Sequence, residues 1–369
     1  MLLVTKIWEQ RKLGEISETY SGGTPKVSIK SFYNKKEIPF IRSSDIHKNT
    51  TELYITKEGL EESSAKLVSK GQILYALYGA TSGEVDISKI DGAINQAILA
   101  INTHDNINYF IMLFLNKNKD KIIKKYIQGG QGNLSAKIVK NININITSKK
   151  EEKEISTFIK KFEKIFTLYE KKKQLLTQLK QGIVSSLITK NGQKSQLRFS
   201  GFNNNWESKS FEKLLNYEQP TKYIVKKADY ISQGTPVLTA NKSFILGYTN
   251  ENNVYQNIPA IIFDDFTLES KYVDFPFMVK SSAIKILTSK NSNLFFIYQL
   301  LNNQRFVQEG HSRHYISVVQ KKKILVPSIQ EQNKIGNLIK QLENNIEQNS
   351  DTIALLKSLK EFLLQNMFL

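Results

Sequence analysis

From Glu151 to Ile188 apolar side chains recur at helical spacing with no proline among them, and from Glu331 the same pattern returns at an offset of 180 residues. The period predicts two long helices. Ile155 matches Ile335, Phe158 matches Leu338, Ile159 matches Ile339, Leu179 matches Leu359, and Glu163 falls on Glu343. In heptad terms Ile155, Phe162, Tyr169, Leu176 and Ile183 form one seam, flanked by Phe158, Ile165 and Leu179. The second copy sets Ile335, Leu342, Leu356 and Leu363 on the equivalent seam, with Asn349 as a polar interruption. Such stripes need apolar cover, and each helix offers it to the other. At 1.5 Å rise per residue each would be roughly 55 Å long, which suits a spacer between two similar domains. Ordinary core helices or a dimerisation seam would give the same pattern.

Ahead of each helix the pattern shortens to strand length. Ile38-Pro39-Phe40-Ile41, Gly71 to Tyr78 and Ala93 to Ile101 are apolar runs bounded by turn residues, as are Gly234 to Thr239 and Ile258 to Phe266. A helix is expected from Asn108 to about Tyr126, with a counterpart from Phe295 to Phe306. Alternating Ile142, Ile144 and Ile146 are echoed by Ile324 and Val326. The glycine-rich stretch Gln128 to Asn133 has its counterpart in Gly310-His311-Ser312-Arg313-His314-Tyr315. The units open on Trp8-Glu9 and Trp206-Glu207, an offset of 198, so the first is 18 residues longer than the second. The expected order is a first domain over 1–148, a spacer helix over 149–190, a second domain over 191–327 with a polar linker at 191–205, and a distal spacer helix over 328–369. The fold class is α+β, two mixed globular domains each followed by a long helix, the helices pairing as an antiparallel coiled coil.

A formal net charge of +18, spread along the chain, points to a polyanionic partner, nucleic acid ahead of membrane. Cysteine is absent, so disulfides and thiolate metal sites are excluded, and no apolar run reaches spanning length. A soluble, cytoplasmic protein is expected. Walker A, dinucleotide-binding and H-E-x-x-H patterns are missing. His47 and His104 are isolated, and His311-x-x-His314 lacks further ligands for a metal. Asp264-Asp265 with Glu269 and Lys271 resembles a magnesium-dependent nuclease centre, so an autonomous endonuclease is one alternative. A non-enzymatic coiled-coil DNA-binding adaptor is another.

Ser21-Gly22-Gly23-Thr24-Pro25 with Ile38 to Ile46, then Gly71-Gln72-Ile73-Leu74, Gly79-Ala80-Thr81-Ser82-Gly83 and Asn95-Gln96-Ala97, resembles one kind of target-recognition domain in the specificity subunits of type I restriction-modification systems. Pro259 to Thr267 with Lys271 to Phe277 is similar to another kind, and Leu197-Arg198-Phe199-Ser200-Gly201-Phe202 before Trp206 to its usual opening. The first unit lacks that Leu-Arg-Phe lead before Trp8. The resemblance implies a non-catalytic reader of a bipartite DNA target. It also implies partners: two adenine methyltransferase subunits, which bind the S-adenosylmethionine, and a restriction subunit acting as motor and nuclease. No cofactor, metal or catalytic residue is expected on this chain itself. Donor-rich loop residues are then the candidate DNA contacts. In the first domain they are Thr24, Lys26, Arg42, Ser43, Tyr78, Thr81, Asn95, Gln96, Gln131 and Asn133; in the second, Thr239, Asn241, Lys242, Tyr248, Lys271, Arg313, His314 and Tyr315. Asn95 and Gln96 could instead satisfy backbone groups.

Overall fold

A computed structural model describes residues 8–105, 107–126, 133–187, 197–227, 229–241, 243–306 and 313–368. Gln131, Lys242 and His311 lie outside the described residues. Contacts between Cα positions divide the chain into Met1–Leu168 with Ile353–Leu369, and Tyr169–Thr352. Both divisions cut through long helices, so each unit takes a globular portion and part of each helix.

In the first unit, chain order gives β1 (Glu9–Lys12), α1 (Leu13–Ile16), β2 (Ser17–Ser21), β3 (Ile38–Ile41), β4 (Tyr54–Ile55), α2 (Lys57–Glu61), β5 (Lys66–Val68), β6 (Ile73–Ala76), β7 (Val85–Ile87), β8 (Gly92–Ile94) and β9 (Ile98–Thr103). Then follow α3 (Asn108–Lys117), α4 (Lys119–Tyr126), α5 (Ala136–Lys140), β10 (Asn143–Ile146) and the long α6 (Lys149–Leu187). The expected 93–101 strand is two strands, because Asn95 accepts from the Ala97 amide and turns the chain between them. The expected 108–126 helix breaks at Asn118, whose carboxamide donates back to the Phe114 carbonyl.

The second unit holds β11 (Glu207–Ser210), α7 (Phe211–Leu214), β12 (Leu215–Glu218), β13 (Thr235–Leu238), β14 (Ile245–Thr249), β15 (Ala260–Asp264), β16 (Ser270–Val273), β17 (Met278–Val279), β18 (Ile284–Ser289), α8 (Leu294–Asn303), β19 (Lys323–Val326) and α9 (Ile329–Asn366).

One frame underlies both units. A four-stranded sheet runs β2-β9-β6-β7 in the first and β12-β18-β15-β16 in the second. A further sheet holds a parallel pair in each unit, β3 with β8 and β13 with β17. The opening strand pairs antiparallel with the strand before the long helix, β1 with β10 and β11 with β19. Each opening tryptophan packs on a phenylalanine of the following core, Trp8 on Phe110 and Trp206 on Phe296. The longer first unit carries α2, β5 and α4, for which the second has no counterpart among the described residues.

The apolar positions of the long helices are buried to different extents along their length. Ile155, Ile159 and Phe162 are buried, and so are Ile335, Ile339 and Leu342. Tyr169, Leu176, Ile183, Leu356 and Leu363 are half-buried, while the flanking Phe158, Ile165 and Leu179 stay about half exposed. In the first unit Glu163 accepts from Tyr109 on α3 at 2.5 Å and from Lys360 at 2.7 Å. In the second its counterpart Glu343 accepts from Gln299 on α8 at 3.1 Å and pairs with Lys180 at 2.5 Å. Lys180 and Lys360 are themselves repeat equivalents, so each glutamate holds the lysine of the other copy. Asn349 is buried, and its carboxamide donates to the Tyr169 carbonyl at 2.8 Å.

One buried carboxyl breaks the likeness. Glu152 is 2 % exposed where the second copy has Gln332. Burial pushes its pKa up and nearby Asp105 and Glu151 add to this, against the Thr147 amide that it accepts from. A carboxyl that holds its proton more tightly folded than unfolded loses stability as pH rises from the ordinary glutamate range through its folded pKa. Glu152→Gln is therefore expected to melt higher than wild type at pH 7, with the gap closing towards pH 4. A pH-independent gap in thermal melts would rule this out.

Candidate nucleic-acid interface

In the first unit the loop after β2 is shaped by close approach. A Cβ at Gly22 would lie 1.8 Å from the Ile94 carbonyl oxygen, and one at Gly23 would lie 1.8 Å from the Ser64 hydroxyl. The chain can therefore pass over the end of β8 only with glycine there. This sets Thr24 beside the turn after β8, where its hydroxyl donates to Gln96 at 2.8 Å. Thr24, Arg42 and Asn95 line one open depression of about 570 Å³ together with Lys30, Tyr33 and Asn34. Arg42 is exposed and ion-paired with the buried Asp45 at 3.3 Å. Burial alone would raise the Asp45 carboxyl, but Lys48 and Arg42 outweigh it and hold it below the usual range. Gly22→Ala is expected to displace the Thr24 loop and, on the expectation from the sequence that Thr24 and its neighbours contact DNA, to weaken DNA binding by about tenfold, the factor corresponding to roughly 1.4 kcal/mol. Titration of a labelled cognate duplex checks this, and unchanged affinity contradicts it.

A second group gathers at the end of the central strand β6. The Leu77 amide donates to Ala97, and the Leu134 amide donates to Leu77. These bonds bring Tyr78, Thr81 and Asn133 to the same strand end, although Tyr78 is half-buried against the core and burial raises its hydroxyl pKa. Lys26, Gln96 and Asn133 are exposed, and Ser43 and Thr81 are partly so.

The second unit repeats this strand end with other side chains. Asp265 follows β15, its amide donates to Ala283, and the His314 amide donates to Asp265. Asp264 folds its own carboxylate over the Phe266 and Thr267 amides, both at 2.9 Å. Thr267 in turn donates to Asn241 at 3.1 Å, and the Asn241 amide donates to Thr239. Thr239 and Asn241 are thus tied to one turn, and the exposed Arg313 immediately precedes the His314 amide bonded to Asp265. Thr267 was absent from the sequence-derived candidates, and the Asp-Asp-Phe-Thr turn pattern was the available clue.

Two of those candidates prove to be buried. Tyr315 is 1 % exposed, with its ring against Tyr217 and Phe263 and its amide donating to Asp265 at 2.7 Å. His314 is 2 % exposed, folded back on the Asp265 carbonyl. Their side chains build the core because the segment returns to the strand end instead of standing off in solvent. Tyr248 and Lys271 are half-buried on β14 and β16. Asp264 is 7 % exposed and committed to its turn, while Glu269 is exposed. Among the described residues no group of three or more His, Asp or Glu side chains is arranged to hold a metal.

The family described as type I restriction modification DNA specificity domain matches residues 5–178 and 203–358, one match in each half. The chain is 50% identical over 123 residues to the EcoR124I/EcoR124II type I restriction enzyme specificity subunit of Escherichia coli, a stretch covering 31% of this chain and 30% of that protein. It is 23% identical over 419 aligned positions to the MjaIX specificity subunit of Methanocaldococcus jannaschii, covering 99% of this chain and 93% of that one. Among solved structures, the S subunit of a type I restriction-modification system from M. genitalium superposes with a TM-score of 0.69 at 14% identity, covering 100% of this chain and 98% of the other. A chain from a structure on complex assembly and conformational transition of the type I R-M system gives 0.54 at 12% identity, covering 100% and 99%. With both halves matched and the duplicated frame in place, the chain belongs to the type I restriction-modification DNA specificity family.

Proposed function

We propose that each globular unit reads one half of a split DNA target, and that α6 and α9, paired as an antiparallel coiled coil, fix the distance between the halves. The observation that carries this is the duplication: one strand order built twice, with unlike side chains at equivalent loop positions such as Asn133 and Arg313. A common frame with different tips suits two different base sequences. Phosphate contacts from the basic surface supply affinity and register, and polar side chains at the strand ends supply base readout. The crossed Glu163–Lys360 and Glu343–Lys180 pairs are what two helices running in opposite directions produce from a repeated sequence.

The chain itself performs no chemistry in this reading. Two adenine methyltransferase subunits carrying S-adenosylmethionine dock on it, and a restriction subunit adds the motor and nuclease. Apolar side chains left uncovered on the long helices, among them Phe158, Leu168, Leu355 and Phe362, suit such docking. No described helix is long and apolar enough to cross a membrane, and a cytoplasmic site of action fits access to DNA. Genome-wide mapping of methylated adenine with and without the chain is the test: a two-part motif should vanish when the chain is deleted. Purified chain with magnesium and plasmid should leave the DNA intact; cleavage by the chain alone would favour the nuclease alternative.

A further inference from the structure

At the strand end that receives the returning loop, the two units solve the same packing problem in opposite ways. The first strands of the two sheets start in matching register, Ser17 with Thr103 and Leu215 with Ser289, and four residues back from Thr103 and Ser289 stand Leu99 and Lys285, which pair with Tyr75 and Phe263. It follows that Leu77 corresponds to Asp265 and Leu99 to Lys285. The shared backbone bonds, Leu134 to Leu77 and His314 to Asp265, complete the set with Leu134 and His314. In the first unit the three positions are leucines within one apolar cluster. In the second they are an aspartate, a lysine and a histidine, none more than 2 % exposed.

The charged version is fully engaged. The Lys285 ammonium lies 3.4 Å from the Asp265 carboxylate and donates to Gln219 and the Ser282 carbonyl, both at 3.1 Å. The other Asp265 oxygen accepts the Tyr315 amide at 2.7 Å. His314 Nδ1 stands 3.2 Å from the Asp265 carbonyl, which can only accept, so that nitrogen carries the proton. Buried ion pairs seldom stabilise more than a well-packed apolar set of similar volume. The first unit shows that this frame closes with leucines. What the carboxylate adds is a second anchor: beyond the His314 backbone bond that both units share, it holds the Tyr315 amide, two residues after the exposed Arg313.

We infer that Asp265, Lys285 and His314 are positioning residues for DNA readout by the second unit, holding Arg313 at a fixed place and orientation at the end of β15. This rests on the reading that the second unit recognises its own half-site. The arrangement is not needed to close the fold; it fixes where a base-reading or phosphate-binding guanidinium stands.

The test uses the full chain with its methyltransferase partners and a duplex pool randomised across both halves, sequenced after capture. The triple variant Asp265→Leu, Lys285→Leu, His314→Leu copies the first unit's solution. It is expected to melt no lower than wild type yet lose tenfold or more discrimination in one half-site, the same half that Arg313→Ala blurs, with the other half unchanged. Adding Arg313→Ala to the triple variant should cause no further loss. Equal sharpness in both halves, or blurring of both, would overturn the inference. Should the triple variant not fold, Asp265→Asn keeps the acceptor for the Tyr315 amide while removing the charge. It is then expected to weaken discrimination in that half alone, severalfold, and unchanged discrimination counts against the inference. A wild-type complex that enriches no split sequence defeats the family-based reading itself, and this inference with it.

Discussion

Asp265→Leu alone is expected to cost the second unit about 3–5 kcal/mol, the range for removing one partner of a buried ion pair. The variant strands the Lys285 ammonium at 1 % exposure, leaving it Gln219 and the Ser282 carbonyl but no counter-charge. Burial already pulls the Lys285 pKa down, and Asp265 opposes that pull. Without Asp265 the native state holds the lysine proton less tightly still, so the unfolded state binds more protons and stability rises with pH. The deficit should accordingly be larger at pH 6 than at pH 9. At roughly 2–4 °C per kcal/mol for a unit of this size, the melting temperature should fall by about 10 °C. Adding Lys285→Leu to Asp265→Leu should restore most of the loss. A single variant as stable as wild type would show that the pair contributes no counter-charge worth measuring.

This pair marks where sequence reading stops. The long helices were legible because dozens of residues repeat one period twice, and a strand or loop does not satisfy that period. Strand positions were legible for the same reason over shorter spans. The polar residues inside the frame were not. Lys285 sits between Ile284 and Ile286, an alternation that ordinarily marks a solvent face, yet the strand is covered on both sides there. Asp264 and Asp265 suggested a metal site from their adjacency, whereas one caps a turn and the other anchors a lysine and an amide. His314 and Tyr315 looked like loop tips because polarity and neighbouring glycine are all that a sequence shows of a segment that folds back on a strand end. Gly22 and Gly23 were visible as a turn, but their reason, a carbonyl and a hydroxyl under 2 Å from any Cβ, needed the coordinates.

Seven residues inserted after Lys172 in α6 together with seven after Thr352 in α9 are expected to move the two recognised halves apart by about three base pairs. Seven residues preserve the heptad phase of the seam to within about 20°. They lengthen a helix by about 10 Å, which is three steps of B-form DNA at roughly 3.4 Å per base pair. The two positions are equivalents under the offset of 180. Tyr169 and Asn349 both precede the insertions by three residues, so in antiparallel helices they fall on opposite sides of the added heptads and the one hydrogen bond between them is given up. Lengthening both helices here keeps the Glu163–Lys360 and Glu343–Lys180 pairs available, whereas lengthening one forces a choice between them. The single insertion should therefore abolish site-specific methylation. The double insertion should restore it at a new motif with the same two halves, the original motif being left unmethylated. Methylated-adenine mapping in cells carrying each variant reads both outcomes. If the double insertion methylates the original motif at its original spacing, the helices do not set the distance between the halves, however well they pair.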